Sequence, residues 1–180
     1  MSTWIALFRG INVGGRNILP MKELAKILEA IGCTHVRTYI QSGNVILRES
    51  GSKAPQLAKS IEQSVLNSYG FEPKVQLLTV KELEKAVRAN PYADAESDPK
   101  SLHVLFLAEK PKSADLQSLS DLKSENESYS LRGNLFYLHA PDGIGRSRLA
   151  AKAEKLLGVD ATGRNWRTVS KLLELARQNA

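Results

Sequence analysis

Little of this 180-residue sequence is sulfur-bearing, aromatic or membrane-like. Its one cysteine, Cys33, excludes an intramolecular disulfide and a cysteine-rich zinc site. Following Gly32 at a helix end, it reads as a small buried residue rather than a nucleophile. No apolar run approaches the ~20 residues of a membrane helix, so no membrane partner is expected. His35, His103 and His139 sit in or beside strand-like runs without paired ligand spacing, so no metal site is expected. The glycine loops match neither Gly-x-x-x-x-Gly-Lys-Ser/Thr nor Gly-x-Gly-x-x-Gly, and no cofactor is expected. A Gly-x-Ser-x-Gly elbow and a credible carboxylate pair are also missing, which leaves no catalytic residue to name. No basic segment with a cleavage site follows Met1, and the expected location is cytoplasmic.

Positive charge, glycine and regular apolar spacing are present instead. Lys and Arg number 25 against 19 Asp and Glu, a net charge of +6. The excess is uneven. Residues 1–50 carry six basic and three acidic side chains, residues 51–142 eleven and thirteen, residues 143–180 eight and three. The positive charge therefore belongs to the two ends of the chain.

Trp4 to Phe8 is a nearly continuous apolar run and reads as a buried strand. The loop Arg9-Gly10-Ile11-Asn12-Val13-Gly14-Gly15-Arg16-Asn17 interrupts it. Pro20 suits the first turn of a helix lined by Met21, Leu24, Leu28 and Ile31, with Gly32 at its end. A hairpin over Val36–Ile40 and Asn44–Arg48 turns at Ser42-Gly43. A helix carrying Leu57, Ile61 and Val65 up to Gly70, then a strand over Lys74–Leu78, complete strand–helix–strand–strand–helix–strand, the split βαβ order of ferredoxin-like domains.

The second half opens on the capping box Thr79-Val80-Lys81-Glu82. A polar loop over Asn90–Lys100, a strand over Leu102–Ala108 and a short helix over Ala114–Leu122 follow. A hairpin over Glu127–Leu131 and Leu135–His139 and two closing helices end the chain. The element order recurs. The fold class expected is α+β, two ferredoxin-like (split βαβ) subdomains packed together, over residues 1–80 and 81–180.

Two loops point to an anion. In the first, glycines 10, 14 and 15 free the backbone to present N–H groups, Arg9 and Arg16 flank them, and a helix N-terminus follows. In the second, Pro141-Asp142-Gly143-Ile144-Gly145-Arg146-Ser147-Arg148, Ser147 would cap a helix or bond a phosphate oxygen beside Arg146. Arg37 and Tyr39 share one face of their strand, with Gln41, Ser42 and Asn44 as turn formers. Asn165 reads as an N-cap and Trp166 as a core residue, the alternative being that Arg164 and Arg167 face a ligand with Trp166 stacked on a base; Arg164 is the better candidate for function. The candidate ligand-binding set is Arg9, Asn12, Gly14, Gly15, Arg16, Arg37, Tyr39, Asn44, Arg146, Ser147 and Arg164.

The segments Arg9-Gly10-Ile11-Asn12-Val13-Gly14-Gly15, Arg37-Thr38-Tyr39-Ile40-Gln41-Ser42-Gly43-Asn44-Val45, Gly143-Ile144-Gly145-Arg146-Ser147 and Arg164-Asn165-Trp166 with Thr168 together resemble the domain of unknown function 1697, a mainly bacterial family. Gly163 stands where a larger apolar residue is expected. The resemblance implies two ferredoxin-like subdomains and no assigned activity. The leading expectation is a protein that binds a phosphate-bearing anion, nucleic acid or nucleotide, through the glycine–arginine loops. One alternative is an enzyme acting on a phosphorylated or carboxylated metabolite, with Arg9 on the anion, Tyr39 exchanging a proton and Asn12 or Asn44 orienting the substrate. Another is a homo-oligomeric structural protein. The scarcity of aromatics, 6%, and the absence of the basic-Gly-aromatic signature of RNA-recognition motifs weigh against single-strand binding.

Overall fold

The structure, a computed structural model, describes residues 1–179. The strands are β1 (Ser2–Arg9), β2 (Thr34–Tyr39), β3 (Asn44–Glu49), β4 (Lys74–Thr79), β5 (Leu102–Leu107), β6 (Ser128–Arg132), β7 (Leu135–His139) and β8 (Ala161–Asn165). The helices are α1 (Met21–Ala30), α2 (Ala54–Tyr69), α3 (Val80–Arg88), α4 (Leu116–Leu122), α5 (Arg148–Leu157) and α6 (Trp166–Gln178). Contacts divide the chain into two compact units. The first is Met1–Lys85 with the chain from Lys171 onward, and the second is Ala86–Ser170. The divisions fall inside α3 and α6, and the C-terminal stretch belongs with the first unit.

Both sheets are antiparallel, ordered β2-β3-β1-β4 and β6-β7-β5-β8. With β1-α1-β2-β3-α2-β4 and β5-α4-β6-β7-α5-β8 in chain order, each unit is ferredoxin-like, and the protein is α+β. One element differs from the sequence expectation. Residues 161–165 form the edge strand β8 rather than a loop, paired with β5 from His103↔Asn165 to Leu107↔Ala161. Gly163 and Arg164 lower β-propensity, but the open edge of β5 supplies a full ladder of partners, and pairing overrides propensity. A Cβ at Gly163 would meet Leu105 at 3.8 Å, ordinary contact, so this strand does not require glycine there.

In the first unit the apolar spacing of the helices does what it implies. Met21, Leu24 and Leu28 of α1 and Leu57, Ile61 and Val65 of α2 pack on Trp4, Ala6, Phe8, Val45 and Leu47. Each buried aliphatic side chain contributes about 2 kcal/mol. Pro20 stands one residue ahead of the helix as its cap, and its carbonyl accepts from Leu24 N at 3.0 Å. In the second unit Leu119 of α4 and Leu149, Ala153 and Leu157 of α5 cover Leu105, Leu107, Phe136, Leu138 and Ala161.

The opposite sheet faces are also buried. Ile5, Leu7 and Ile46 are wholly inaccessible in the first unit, as are Val104 and Tyr137 in the second. The Tyr137 hydroxyl donates to the carbonyl of Ala86 at 2.7 Å, and burial pushes its pKa up to about 12. Asn179 is fastened to β1 and β2. Thr3 Oγ1 donates to the carbonyl of Asn179, and Asn179 Nδ2 to that of His35. Among the described residues, no helix is long and apolar enough to cross a membrane.

Candidate functional site

The first glycine loop is a miniature hairpin. Gly14 and Gly15 have φ of 58° and 74°, the paired positive values of a type I′ turn. Arg16 N donates to the carbonyl of Val13 at 3.0 Å, and one rung further out Asn12 N donates to that of Asn17 at 3.1 Å. Both asparagines are themselves left-handed, at 54° and 51°, a conformation their side chains tolerate. Asn17 Nδ2 donates to the carbonyl of Gly10 at 2.7 Å. Asn12 Nδ2 donates to the carbonyls of Leu19 at 2.8 Å and Gln41 at 2.9 Å, while its Oδ1 accepts from Leu19 N at 2.8 Å. The amide of Asn12 thus holds the loop against the β2–β3 turn, and Arg16 is left exposed beside the hairpin tip.

Register places the remaining residues of this unit. Arg9 of β1 lies directly opposite Lys74 of β4. The neighbouring row on the same face reads Tyr39, Asn44, Leu7 and Gln76, and the next Arg37, Ile46, Ile5 and Leu78. Two like charges facing each other across a ladder repel and raise the local positive potential. Asn44 is fully buried, and its Nδ2 donates to the carbonyl of Tyr39 at 3.2 Å and to Ser42 Oγ at 3.0 Å. Arg37 Nη1 donates to Gln178 Oε1 at 3.3 Å. The turn presses hard on β1. Phe8 N donates to the carbonyl of Gly43 at 2.8 Å, and a Cβ at Gly43 would stand 2.6 Å from Phe8 Cβ.

In the second unit the loop after β7 makes a single 3-10 turn over Ile144–Arg146, with Gly143 at φ 94°. Ser147 caps α5, its hydroxyl accepting from Ala150 N at 2.9 Å. Arg146 is exposed and lines a cavity of about 130 Å³ with Ser124, Asn126, Glu127 and Asp142. Arg164 is half-buried on β8, with Nη1 donating to the carbonyl of Gly163 at 2.9 Å. Burial pushes its guanidinium down to about 10, because the charged form loses water. Asn165 Oδ1 accepts from Thr168 N at 2.9 Å and Trp166 is buried, so these two serve as cap and core. Arg164 shares a sheet face with Val104 and Tyr137, away from α5, whereas Ser147 caps α5. The second unit does not bring those two together on one face.

The first unit, by contrast, gathers Arg9, Asn12, Gly14, Gly15, Arg16, Tyr39 and Asn44 around one end of its sheet, with Arg37 one row further along. Lys74 joins them. Nothing in its local sequence marks it out, because its position opposite Arg9 follows only from the β1–β4 register. Cys33 is buried, and loss of solvent pushes its thiol up to about 11, where it is no nucleophile at neutral pH. Among the described residues, no group of three or more His, Cys, Asp or Glu side chains is placed to hold a metal.

Among functionally curated proteins none matches the chain. A solved structure of the conserved bacterial protein SP0830 from Streptococcus pneumoniae is similar, with a TM-score of 0.69 over 97% of this chain and 98% of that one. The two are 24% identical, a likeness of fold. The family described as protein of unknown function DUF1697 matches residues 1–137, which include both the glycine–arginine hairpin and the turn it is tied to; the chain belongs to the DUF1697 family.

Proposed function

We propose that this protein binds a phosphate-bearing anion, a nucleotide or nucleic acid, at the basic end of its first unit. The observation that carries the reading is the direct opposition of Arg9 and Lys74 on one sheet face. A phosphate offers oxygens to both cations at once. Arg16 stands on the hairpin tied to the same end of the sheet, and the tie through Asn12 holds it in place before any ligand arrives. The sheet centre is no stacking platform, because Ile5, Leu7 and Ile46 are buried.

Fluorescence polarisation against mixed oligonucleotides, with a thermal-shift panel of nucleotides and phosphorylated metabolites, tests the reading. Affinity falls with salt by about 0.7 to 0.9 in log–log slope per phosphate contact. Arg9→Ala and Lys74→Ala weaken binding across all sequences and each flatten the slope by about one contact. A salt-insensitive titration, or a panel that stabilises nothing, refutes it.

A further inference from the structure

Three aliphatic side chains stand in solvent where the glycine hairpin meets the β2–β3 turn. Val13 is 66% exposed, Ile18 56% and Ile40 51%. All lie within a residue of the Asn12 staple, whose partners are Leu19 and Gln41. Ile40 adopts φ 49°, the left-handed region that branched side chains avoid. Asparagine or glycine would sit there without strain, and an isoleucine half in water gains little from burial. Neither local conformation nor the core accounts for it, and strain of this kind persists where function needs it. No acidic residue occurs in segments 2–22 or 30–48, which carry Arg9, Arg16, Lys22, Arg37 and Arg48.

Exposed apolar groups on a turn and a hairpin tip present a knuckle rather than a cleft, and small ligands favour clefts. The fitting partner is large, anionic and able to offer apolar surface. We infer that Val13, Ile18 and Ile40 pack against the bases of a single-stranded nucleic acid whose phosphates engage Arg16 and the Arg9–Lys74 pair. The inference rests on the phosphate-binding reading above and names its ligand class. A single strand leaves base faces free, whereas a duplex hides them in its stack. A strand also runs from the tip to the sheet face bearing Arg9 and Lys74, while a flat bilayer would meet the tip alone.

The test compares labelled single-stranded RNA and DNA, a duplex of the same sequence, a mononucleotide, and vesicles of phosphatidylcholine with phosphatidylserine. Variants are Ile40→Asn, which suits the left-handed backbone, and the double change Val13→Ser with Ile18→Ser. Each is expected to weaken single-strand binding about fivefold or more, with mononucleotide binding unchanged and Ile40→Asn melting no lower than the wild type. Unaltered strand affinity in both variants overturns the inference, as does a lower melting temperature for Ile40→Asn or tighter binding to vesicles than to strands. If a mononucleotide binds through Arg9 and a strand binds no better, this inference fails and the phosphate reading stands. If neither binds, both fail.

Discussion

Replacing Gly43 by alanine separates two costs that usually arrive together. Gly43 has φ 72°, where an L-residue pays for its Cβ, by about 1 to 2 kcal/mol. Its Cβ would also stand 2.6 Å from Phe8 Cβ and 2.8 Å from Ile11 Cδ1. The isoleucine methyl is the far end of a flexible side chain and can rotate aside. Phe8 Cβ cannot, because it is anchored to the backbone of β1, which pairs with β3 on one side and β4 on the other. Forcing that contact open adds about 1 to 3 kcal/mol of overpacking. Gly14→Ala is the control. Gly14 has φ 58° with nothing within 4 Å of the added Cβ, so it carries the conformational cost alone. Urea unfolding followed by far-UV circular dichroism and Trp4 fluorescence is expected to place Gly43→Ala about 2 kcal/mol below Gly14→Ala at unchanged slope. Equal destabilisation of the two variants would refute the packing argument, and with it the claim that the turn is pressed onto β1.

Two further outcomes follow from single residues. Ser147→Ala is expected to lower stability by about 1 kcal/mol through loss of the α5 cap, with Ser147→Asn restoring it; oligonucleotide binding that drops with both changes, although asparagine restores the stability, would show that the hydroxyl also meets the ligand. Burial holds the pKa of His103 below its ordinary 6.5, the folded state binds its proton less readily than the unfolded chain, and stability therefore declines as pH falls below 6.5; His103→Leu is expected to flatten that part of the urea-midpoint profile, and an unchanged slope would show that other groups dominate.

Much of the fold is written in short-range signals. The run Trp4–Phe8, the three-and-four spacing on α1 and α2, and the glycine ending α2 at Gly70 each act within a few residues. So does the capping box, in which Glu82 Oε2 accepts from Thr79 N at 2.7 Å and Thr79 Oγ1 accepts from Glu82 N at 3.2 Å. β8 was not legible, because Thr162-Gly163-Arg164-Asn165 has neither alternation nor β-branched density and becomes a strand only when β5 offers it an edge. The same split runs through the candidate site. That Gly14-Gly15 would turn and that Arg9 and Arg16 would flank the loop is plain from residue type. That the Asn12 amide would be spent on main-chain atoms at positions 19 and 41 is not, since its partners lie 7 and 29 residues away.

The sequence by itself therefore determined the element types, the split βαβ order, the glycine–arginine loop and the excess of positive charge toward the chain ends. These rest on side-chain period, turn chemistry and composition, all of which act locally along the chain. Only the tertiary structure decided that Lys74 faces Arg9, that Asn44 is buried, that Ile40 is strained in solvent, and that the chain from Lys171 onward closes on the first unit. Those depend on antiparallel register and on which edge a strand finds. Both are settled by burial of whole faces across long sequence separations, and no local window of residues contains that information.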